Sequence, residues 1–277
     1  MKRPYTVVDV FTAEPLRGNP LAVVHAAQGL GEAQMQAYAN WTHLSETTFL
    51  LPPTQPGADY RVRIYTPSRE LPFAGHPTLG SCHAWLEAGG RARDPTAVVQ
   101  ECAAGLIRIR RDAERLAFAA PPCLRTGPLE DAEVARIARA LGVAADAIVA
   151  HQWVDNGPGW CAVRLASADA VLAVRPDWAA LAGLKLGVIG AYPAGQGADY
   201  EVRALIGEGA GYEDPVTGSL NASLAQWLIG SGAAPASYRV SQGTCLGRAG
   251  RVYLERIDGQ VWVGGASVSV VRGAVEL

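Results

Sequence analysis

Two related stretches decide the fold: residues 58–63, ADYRVR, and residues 198–203, ADYEVR. Each reads as a strand and is followed by a loop rich in Gly and Pro. Each loop leads into an apolar pattern of helical length, GHPTLGSCHAWL from Gly75 and GSLNASLAQWLI from Gly218. A matched strand, loop and helix predicts that the chain contains two copies of one domain.

The segments around the two copies favour β-rich domains. Runs typical of strands occur throughout both halves, whereas helical patterns are few. Two of the helical patterns, residues 30–41 and 129–141, occupy similar places in the two halves. Pro and Gly residues within 121–128 predict a linker. We therefore expect an α+β fold with one domain over residues 1–122 and a second over residues 128–266.

The helices that follow the repeated loops are almost uncharged. Residues 77–88 contain one charged residue, Glu87, and residues 220–229 contain none. A helix without a polar face is normally buried on all sides, and a strongly bent sheet wrapped around it would bury it in this way. The alternative is an ordinary packed core helix.

Composition and charge limit the function classes. The 277 residues carry a net charge of −2 without a basic stripe, so neither nucleic acid nor an acidic membrane is an expected partner. The first residues do not read as a signal peptide, and no window has the continuous apolar length of a membrane helix. The five cysteines are scattered and contain no CxxC pair, which argues against disulfides and a zinc knuckle. A cytoplasmic protein is expected.

His76 stands at the predicted start of the first uncharged helix, between Gly75 and Pro77. Pro suits the first turn of a helix, and the free backbone N–H groups and dipole at this end attract carboxylates. Gly218 and Ser219 have the same form at the second helix. Two such helix starts facing each other would bind a small acid. The alternative is that Gly and Ser act only as helix caps.

Two acidic residues are candidates for proton transfer. Glu46 lies in HLSETTFL, where a helical pattern passes into a strand, and Asp214 lies in GYEDPVTGS, shortly before Gly218. Both are flanked by apolar, Gly or Pro residues. A carboxyl group in an enclosed site has a raised pKa, which suits proton transfer near neutral pH. The alternative is that each acid is simply solvated.

Several sharper motifs fail. Residues 207–211, GEGAG, imitate a dinucleotide-binding loop, but the third Gly is misplaced and no helix follows directly. There is no GxSxG motif of a serine hydrolase. His76 and His83 could share a helix face, but no acidic or Cys ligand accompanies them, so no metal site is expected and His83 is interpreted as a packed core histidine.

Five motifs resemble those of the PhzF-like family, the phenazine-biosynthesis isomerase group, which is related in fold to diaminopimelate epimerase. They are VDVFTAEPLRGNPLAVV, LSETTFLLPP, ELPFAGHPTLGS, GYEDPVTGSLNASL and the closing QG…GR…VWVGGASVSV. The resemblance covers nearly the whole chain, in order. It implies two pseudo-symmetric domains, each a barrel-like sheet around a central helix, with the active site in the cleft between them. It also implies a homodimer and a last strand, about residues 267–277, that returns to the first domain.

The resemblance also implies roles for individual residues. In the phenazine isomerase, the Glu of the SET motif moves a proton between two carbons of a cyclohexadiene amino acid, which makes Glu46 the catalytic acid and base. By the same carry-over, His76 and Asp214 assist it. The residues implied around the substrate, including its carboxylate, are Ser45, Gly75, Gly218, Ser219 and Asn19.

Two departures from related patterns affect the expected reaction. Diaminopimelate epimerase uses one cysteine from each domain, and the matching places here, Ala74 and residues 214–217, supply no thiol. This disfavours a racemisation by two thiols. The stretch ANWTHL before the SET motif also differs from the usual ANEFNL, which bears on the substrate.

We therefore expect an isomerase that needs no cofactor and moves a proton between carbons of a small carboxylic acid, with Glu46 as the single acid and base. An amino-acid epimerase or racemase is the alternative among enzymes. A small-molecule-binding protein without turnover is the alternative from another class. The joint presence of Glu46, His76 and Asp214 argues against this last alternative, because binding alone needs only the loop amides.

Overall fold

The structure is a computed structural model of the chain and describes residues 1–112 and 114–277. The chain folds as two compact units. One contains residues 1–119 together with 264–277, and the other contains residues 120–263. The sequence analysis had placed the corresponding boundaries at 1–122 with 267–277, and at 128–266.

The elements alternate between strands and a few helices along the chain. In order they are β1 (Lys2–Val10), β2 (Asn19–Val24), α1 (Glu32–Thr42), β3 (Thr47–Leu51), β4 (Tyr60–Tyr65), β5 (Glu70–Leu71), α2 (Gly75–Glu87), β6 (Ala97–Cys102), β7 (Gly105–Arg111), β8 (Leu116–Ala119), α3 (Asp131–Leu141), β9 (Ile148–Trp153), β10 (Trp160–Leu165), α4 (Ala168–Ala173), β11 (Lys185–Ala191), β12 (Tyr200–Ile206), β13 (Tyr212–Asp214), α5 (Gly218–Gly230), β14 (Ser237–Gln242), β15 (Gly250–Ile257), β16 (Gln260–Gly265) and β17 (Ser267–Glu276).

The first unit is a sheet wrapped around helix α2. Strand β1 lies between β17 and β2 and is antiparallel to both. The order continues with β2–β3 parallel, β3–β4 antiparallel, β4–β6 parallel, and β6–β7 and β7–β8 antiparallel, while the short β5 lies on β4. Helix α2 packs against β1, β2, β3, β6, β8 and β17. This arrangement explains why the helix needs no polar face over most of its length.

One glycine shows how closely α2 approaches the sheet. A Cβ atom at Gly80 would lie 2.6 Å from a methyl group of Leu21 in β2 and 2.8 Å from one of Val10 in β1. Real side chains do not tolerate such distances, so the helix requires a glycine at this position to reach the strands.

The second unit repeats the same sequence of pairings. Strands β9–β10 are antiparallel, β10–β11 parallel, β11–β12 antiparallel, β12–β14 parallel and β14–β15 antiparallel, and the short β13 lies on β12. Helix α5 takes the place of α2, and most of its residues are buried. The duplicated α+β fold predicted from the sequence is confirmed.

The predicted correspondence between residues 30–41 and 129–141 is wrong. Helix α1 lies between β2 and β3, whereas α3 precedes β9, so the helix in the place of α1 is the short α4 between β10 and β11. The amphipathic pattern of α3 reports only that one face is buried, here through Ile137, Ala138 and Leu141 in the core of the second unit. Periodicity does not report a place in the strand order.

The predicted linker is also packed within the second unit. The N–H group of Leu124 donates to the carbonyl of Asp155 at 2.6 Å. The guanidinium group of Arg125 lies 3.4 Å from the centre of the Trp153 ring. Pro and Gly residues therefore mark a turn that is held by pairing and stacking here, not a free connection.

Candidate active site

Glu46 lies in the turn between α1 and β3. Helix α1 ends at Thr42, and His43 takes the left-handed conformation with φ 56°, which reverses the chain. The hydroxyl groups of Thr42 and Thr47 are 3.0 Å apart across the turn. The Glu46 side chain is 15% exposed, so it is largely shielded from solvent, and its Oε2 atom is buried. The neighbouring Ser45 is half-buried.

His76 is the second residue of α2 and meets Glu46. Ala74 precedes the helix in an extended conformation, and Gly75 and His76, both buried, form its first turn. His76 Nε2 lies 3.3 Å from Glu46 Oε2. His76 Nδ1 lies 3.5 Å from Asn19 Nδ2, on the opposite side of the ring. The first unit thus brings Asn19, Glu46 and His76 together.

The charge state of His76 follows from its burial. Desolvation lowers the pKa of the imidazole to about 3, because removal from water penalises the charged form. The ring is therefore neutral near pH 7, and its approach to Glu46 is not an ion pair. With the Asn19 amide nitrogen facing Nδ1, Nδ1 accepts and the ring hydrogen lies on Nε2, the ring nitrogen nearer to Glu46.

The sequence analysis expected Asn19 to border the substrate. Its side chain is completely buried, and one of its contacts is with the His76 ring. Because Asn19 lies at Nδ1 and Glu46 at Nε2, this placement suits a residue that orients the His76 ring from the side opposite Glu46.

In the second unit, Asp214 is the last residue of β13 and is 8% exposed. The Thr217 hydroxyl group donates to Asp214 Oδ2 at 2.5 Å. Thr217 is the residue directly before α5, so this bond joins the carboxylate to the start of the helix. Sequence reasoning did not single out Thr217, although it belongs to the same GYEDPVTGS stretch.

Gln242 and Asn221 are two further residues that sequence reasoning missed. Gln242 ends β14 and is fully buried, and its amide contacts Thr217, Asn221 and the backbone of Asp214. The only available signal was the closing QG motif, which named Gln242 without a partner. A contact between residues more than twenty positions apart has no local signature.

Gly218 and Ser219 open helix α5. Gly218 is buried, whereas Ser219 is half-buried. The indole N–H of Trp160 donates to the Ser219 hydroxyl oxygen at 3.0 Å, and the Asn156 amide donates to the Ser219 carbonyl at 2.9 Å. Since the hydroxyl oxygen accepts from Trp160, its own hydrogen is directed elsewhere and suits an anionic ligand.

Each unit therefore assembles its own part of the predicted site. Asn19, Ser45, Glu46, Gly75 and His76 belong to the first unit, and Asp214, Gly218 and Ser219 to the second. That the two sets form one site stays a prediction from the resemblance.

Two findings concern classes of site that the sequence disfavours. Among residues 1–112 and 114–277, no group of three or more His, Cys, Asp or Glu side chains is arranged to hold a metal ion. In the same described part of the chain, every helix is too short or too polar to cross a membrane.

Comparison with known proteins gives a consistent set of relatives. The family described as phenazine biosynthesis-like protein matches residues 8–273. Antisense-enhancing sequence 1 of Schizosaccharomyces pombe is 36% identical over 257 residues, which is 87% of this chain and 86% of that protein. Trans-2,3-dihydro-3-hydroxyanthranilate isomerase of Pseudomonas fluorescens is 33% identical over 283 residues, 99% of both chains. The crystal structure of a PhzF-family protein from Enterococcus faecalis covers 100% of both chains with a TM-score of 0.83 at 25% identity.

Proposed function

Because this chain belongs to the phenazine biosynthesis-like family and is an isomerase, we propose that it moves a proton between two carbons of a small carboxylic acid. Glu46 is the single acid and base in this proposal, and no cofactor takes part. The observation that carries the proposal is the contact between Glu46 Oε2 and the neutral His76 ring at 3.3 Å.

The pKa of the His76 ring decides which partner of this contact is proposed as the base. A ring whose pKa is about 3 is a poor base near neutral pH, because a general base works best when its pKa is near the working pH. The carboxylate is then the group that takes the proton from the substrate carbon. In the proposal, the Nε2–H group of His76, 3.3 Å from the carboxylate, donates to it once the substrate is bound and so orients it during the transfer.

Helix starts supply the proposed binding groups for the substrate carboxylate. The first N–H groups of α2 and α5 have no partner within their own helix, and the helix dipole favours an anion at this end. In this proposal, Gly75 and Gly218 allow close approach to these groups, and the hydroxyl groups of the half-buried Ser45 and Ser219 are further donors to the substrate carboxylate. This assignment supports a carboxylic acid as the substrate class.

Uptake of solvent deuterium into a carbon of the substrate tests the proposal. The first compound to test is trans-2,3-dihydro-3-hydroxyanthranilate, the substrate in the name of the Pseudomonas fluorescens relative. NMR in D₂O should show deuterium at a carbon other than the one that loses its proton. A racemase would instead place deuterium at the original carbon with inverted configuration, and this result would contradict the proposal.

Glu46→Gln is the matching variant. Gln keeps the shape of Glu but cannot accept a proton, so turnover should fall by at least roughly 10²–10⁴-fold. Binding measured by calorimetry should change little. Glu255→Gln, at an exposed position in β15, is the control and should keep parental turnover. If Glu46→Gln turns over at the parental rate, Glu46 is not the acid and base.

A further inference from the structure

The amide group of Gln242 is held in one orientation by partners on both of its ends. Gln242 Oε1 accepts from the Thr217 backbone N–H at 3.1 Å and from Asn221 Nδ2 at 2.7 Å. Gln242 Nε2 donates to the Asp214 carbonyl at 3.2 Å and to the Thr217 hydroxyl oxygen at 3.0 Å. A rotation of the amide by 180° would set donors against donors and leave the carbonyl of Asp214 facing an oxygen.

This orientation determines the direction of the Thr217 hydroxyl hydrogen. Because Thr217 Oγ1 already accepts a hydrogen from Gln242, its own hydrogen points to another acceptor. Asp214 Oδ2 is 2.5 Å away, a distance typical of a hydroxyl that donates to a carboxylate. The three side chains therefore form a directed chain of donors, Gln242 to Thr217 to Asp214.

The three residues of this chain of donors are shielded from solvent. Asp214 and Thr217 are each 8% exposed and Gln242 is fully buried. Burial alone destabilises the charged form of a carboxyl group, whereas a hydrogen-bond donor held in place stabilises that form. Hydrogen bonds between a donor and an ionised group are also about twice as strong as neutral ones. The donors thus offset the burial and hold one oxygen of Asp214 in place.

We propose that Thr217 and Gln242 are positioning residues that keep Asp214 as an oriented acceptor for a hydrogen-bond donor of the substrate. This inference rests on the proposed function, in which Asp214 assists the proton transfer of Glu46. It requires a substrate that carries, besides its carboxylate, a hydroxyl or amino group that donates to Asp214, as trans-2,3-dihydro-3-hydroxyanthranilate does.

Thr217→Val and Thr217→Ser are the variants that test the relay, by which we mean the chain of donors from Gln242 through Thr217 to Asp214. Val keeps the shape of Thr but loses the hydroxyl group, whereas Ser retains it. Loss of a hydrogen bond to a charged group should lower kcat by roughly 10- to 100-fold. KM should stay near the parental value, and Thr217→Ser should regain most of the activity. Thr6→Val is the matched control, since Thr6 is 7% exposed and its hydroxyl group contacts His25 in the first unit.

Gln242→Glu tests the second step of the relay. The carboxylate of the variant can still accept from Thr217 and Asn221 but has no N–H group to direct the Thr217 hydroxyl. Gln242→Glu should lower kcat. The double variant Thr217→Val/Gln242→Glu should have a kcat no lower than that of the more impaired single variant, because both changes interrupt the same chain of donors. Additive losses, or a Thr217→Ser protein as impaired as Thr217→Val, would overturn the relay.

NMR separates failure of the relay from failure of the proposed function. In the relay, the Thr217 hydroxyl hydrogen exchanges slowly with water, and its resonance disappears in Thr217→Val, persists in Thr217→Ser and moves in Gln242→Glu. A Thr217 hydroxyl that exchanges as fast as that of the exposed Thr126 would overturn the relay whatever the activity. A protected hydroxyl in a protein that turns over no acid would instead reject the proposed function alone.

Discussion

At the scale of single residues, the site depends on a histidine that stays uncharged. The start of a helix disfavours a positive charge, and burial lowers the pKa of His76 to about 3. The ring therefore keeps one protonation state across the pH range around neutrality. In the proposed mechanism, His76 acts as a neutral group beside Glu46 and not through its own titration.

His76→Asn should impair turnover less than Glu46→Gln does. An Asn side chain can still donate from an N–H group, although it is shorter than His, so we expect a loss of roughly tenfold, the lower end of the effect of a hydrogen bond to a charged group. Asp214→Asn should fall between the two variants. Turnover of the three proteins on one substrate gives the order. If His76→Asn is inactive while Glu46→Gln is active, the roles of the two residues are exchanged.

The depressed pKa of His76 also makes stability depend on pH. An unfolded His binds a proton below about pH 6.5, whereas the buried ring binds one only near pH 3. Between these values the unfolded state binds more protons than the folded state. The free energy of unfolding is therefore unaffected by the titration of His76 above about pH 6.5 and falls as the pH falls from about 6.5 towards 3. The loss approaches about 1.4 kcal/mol for each pH unit.

Urea unfolding at pH 7 and pH 5 measures this effect. The free energy of unfolding should fall more between these values in the parental protein than in His76→Asn. His43→Asn is the control, because His43 is exposed and Asn tolerates its positive φ. Equal losses in the parental protein and His76→Asn would show that the ring is not held neutral.

At the scale of elements, both copies of the repeat carry the same ion pair. Arg63 in β4 pairs with Glu70 in β5 at 2.5 Å, and Arg203 in β12 pairs with Glu213 in β13 at 2.7 Å. Each pair joins a long strand to the short strand that leads into the central helix. Arg203 also donates to the carbonyl of Val174, the residue that follows α4. The pairs therefore fix the loops that present His76 and Asp214.

The two pairs differ in burial, and their loss should differ in cost. Both side chains of the Arg203–Glu213 pair are 5% exposed, against 27% and 29% for Arg63 and Glu70. Breaking a buried pair costs about 3–5 kcal/mol, whereas an exposed pair contributes about 0–1 kcal/mol. Glu213→Gln should therefore lower the free energy of unfolding much more than Glu70→Gln. Equal losses in urea unfolding would refute this difference.

At the scale of the whole molecule, the first unit is built from both ends of the chain. Strand β17 pairs with β1 along its length and also contacts α2. Glu87 at the end of α2 accepts from Arg272 at 2.6 Å and from Ser269 at 2.7 Å, and Ser269 contacts His83 at 3.2 Å. The expected core histidine thus helps to attach the last strand. The first unit is complete only once the whole chain is present.

Removal of residues 267–277 should therefore destabilise the first unit selectively. The truncation exposes the edge of β1 and one end of α2, whereas the second unit keeps all of its own strands. Hydrogen exchange followed by mass spectrometry should show faster exchange in β1 and α2, with little change in β11 and β12. Arg272→Ala, which removes only an exposed pair, is the milder comparison. Unchanged protection of β1 after truncation would contradict the prediction.

Local composition was sufficient to predict the duplicated fold and the buried central helices. The repeated stretches ADYRVR and ADYEVR indicate the duplication, and the scarcity of charge in α2 and α5 indicates burial. Both features are local in the sequence, so they can be recognised without the structure. The motifs likewise singled out Glu46, His76 and Asp214 as candidates. The place of α3 could not be predicted, because a periodic apolar face is compatible with several positions in the strand order.

Tertiary structure alone decided which of these side chains meet. The contact of His76 with both Glu46 and Asn19 depends on the parallel register of β2 and β3 and on the depth of α2 within the sheet. The neutral state of His76 depends on how much water that packing removes. The contact of Gln242 with Thr217 requires the end of β14 to meet the start of α5. Distances and desolvation arise from segments far apart in the chain, and no local pattern of residues encodes them.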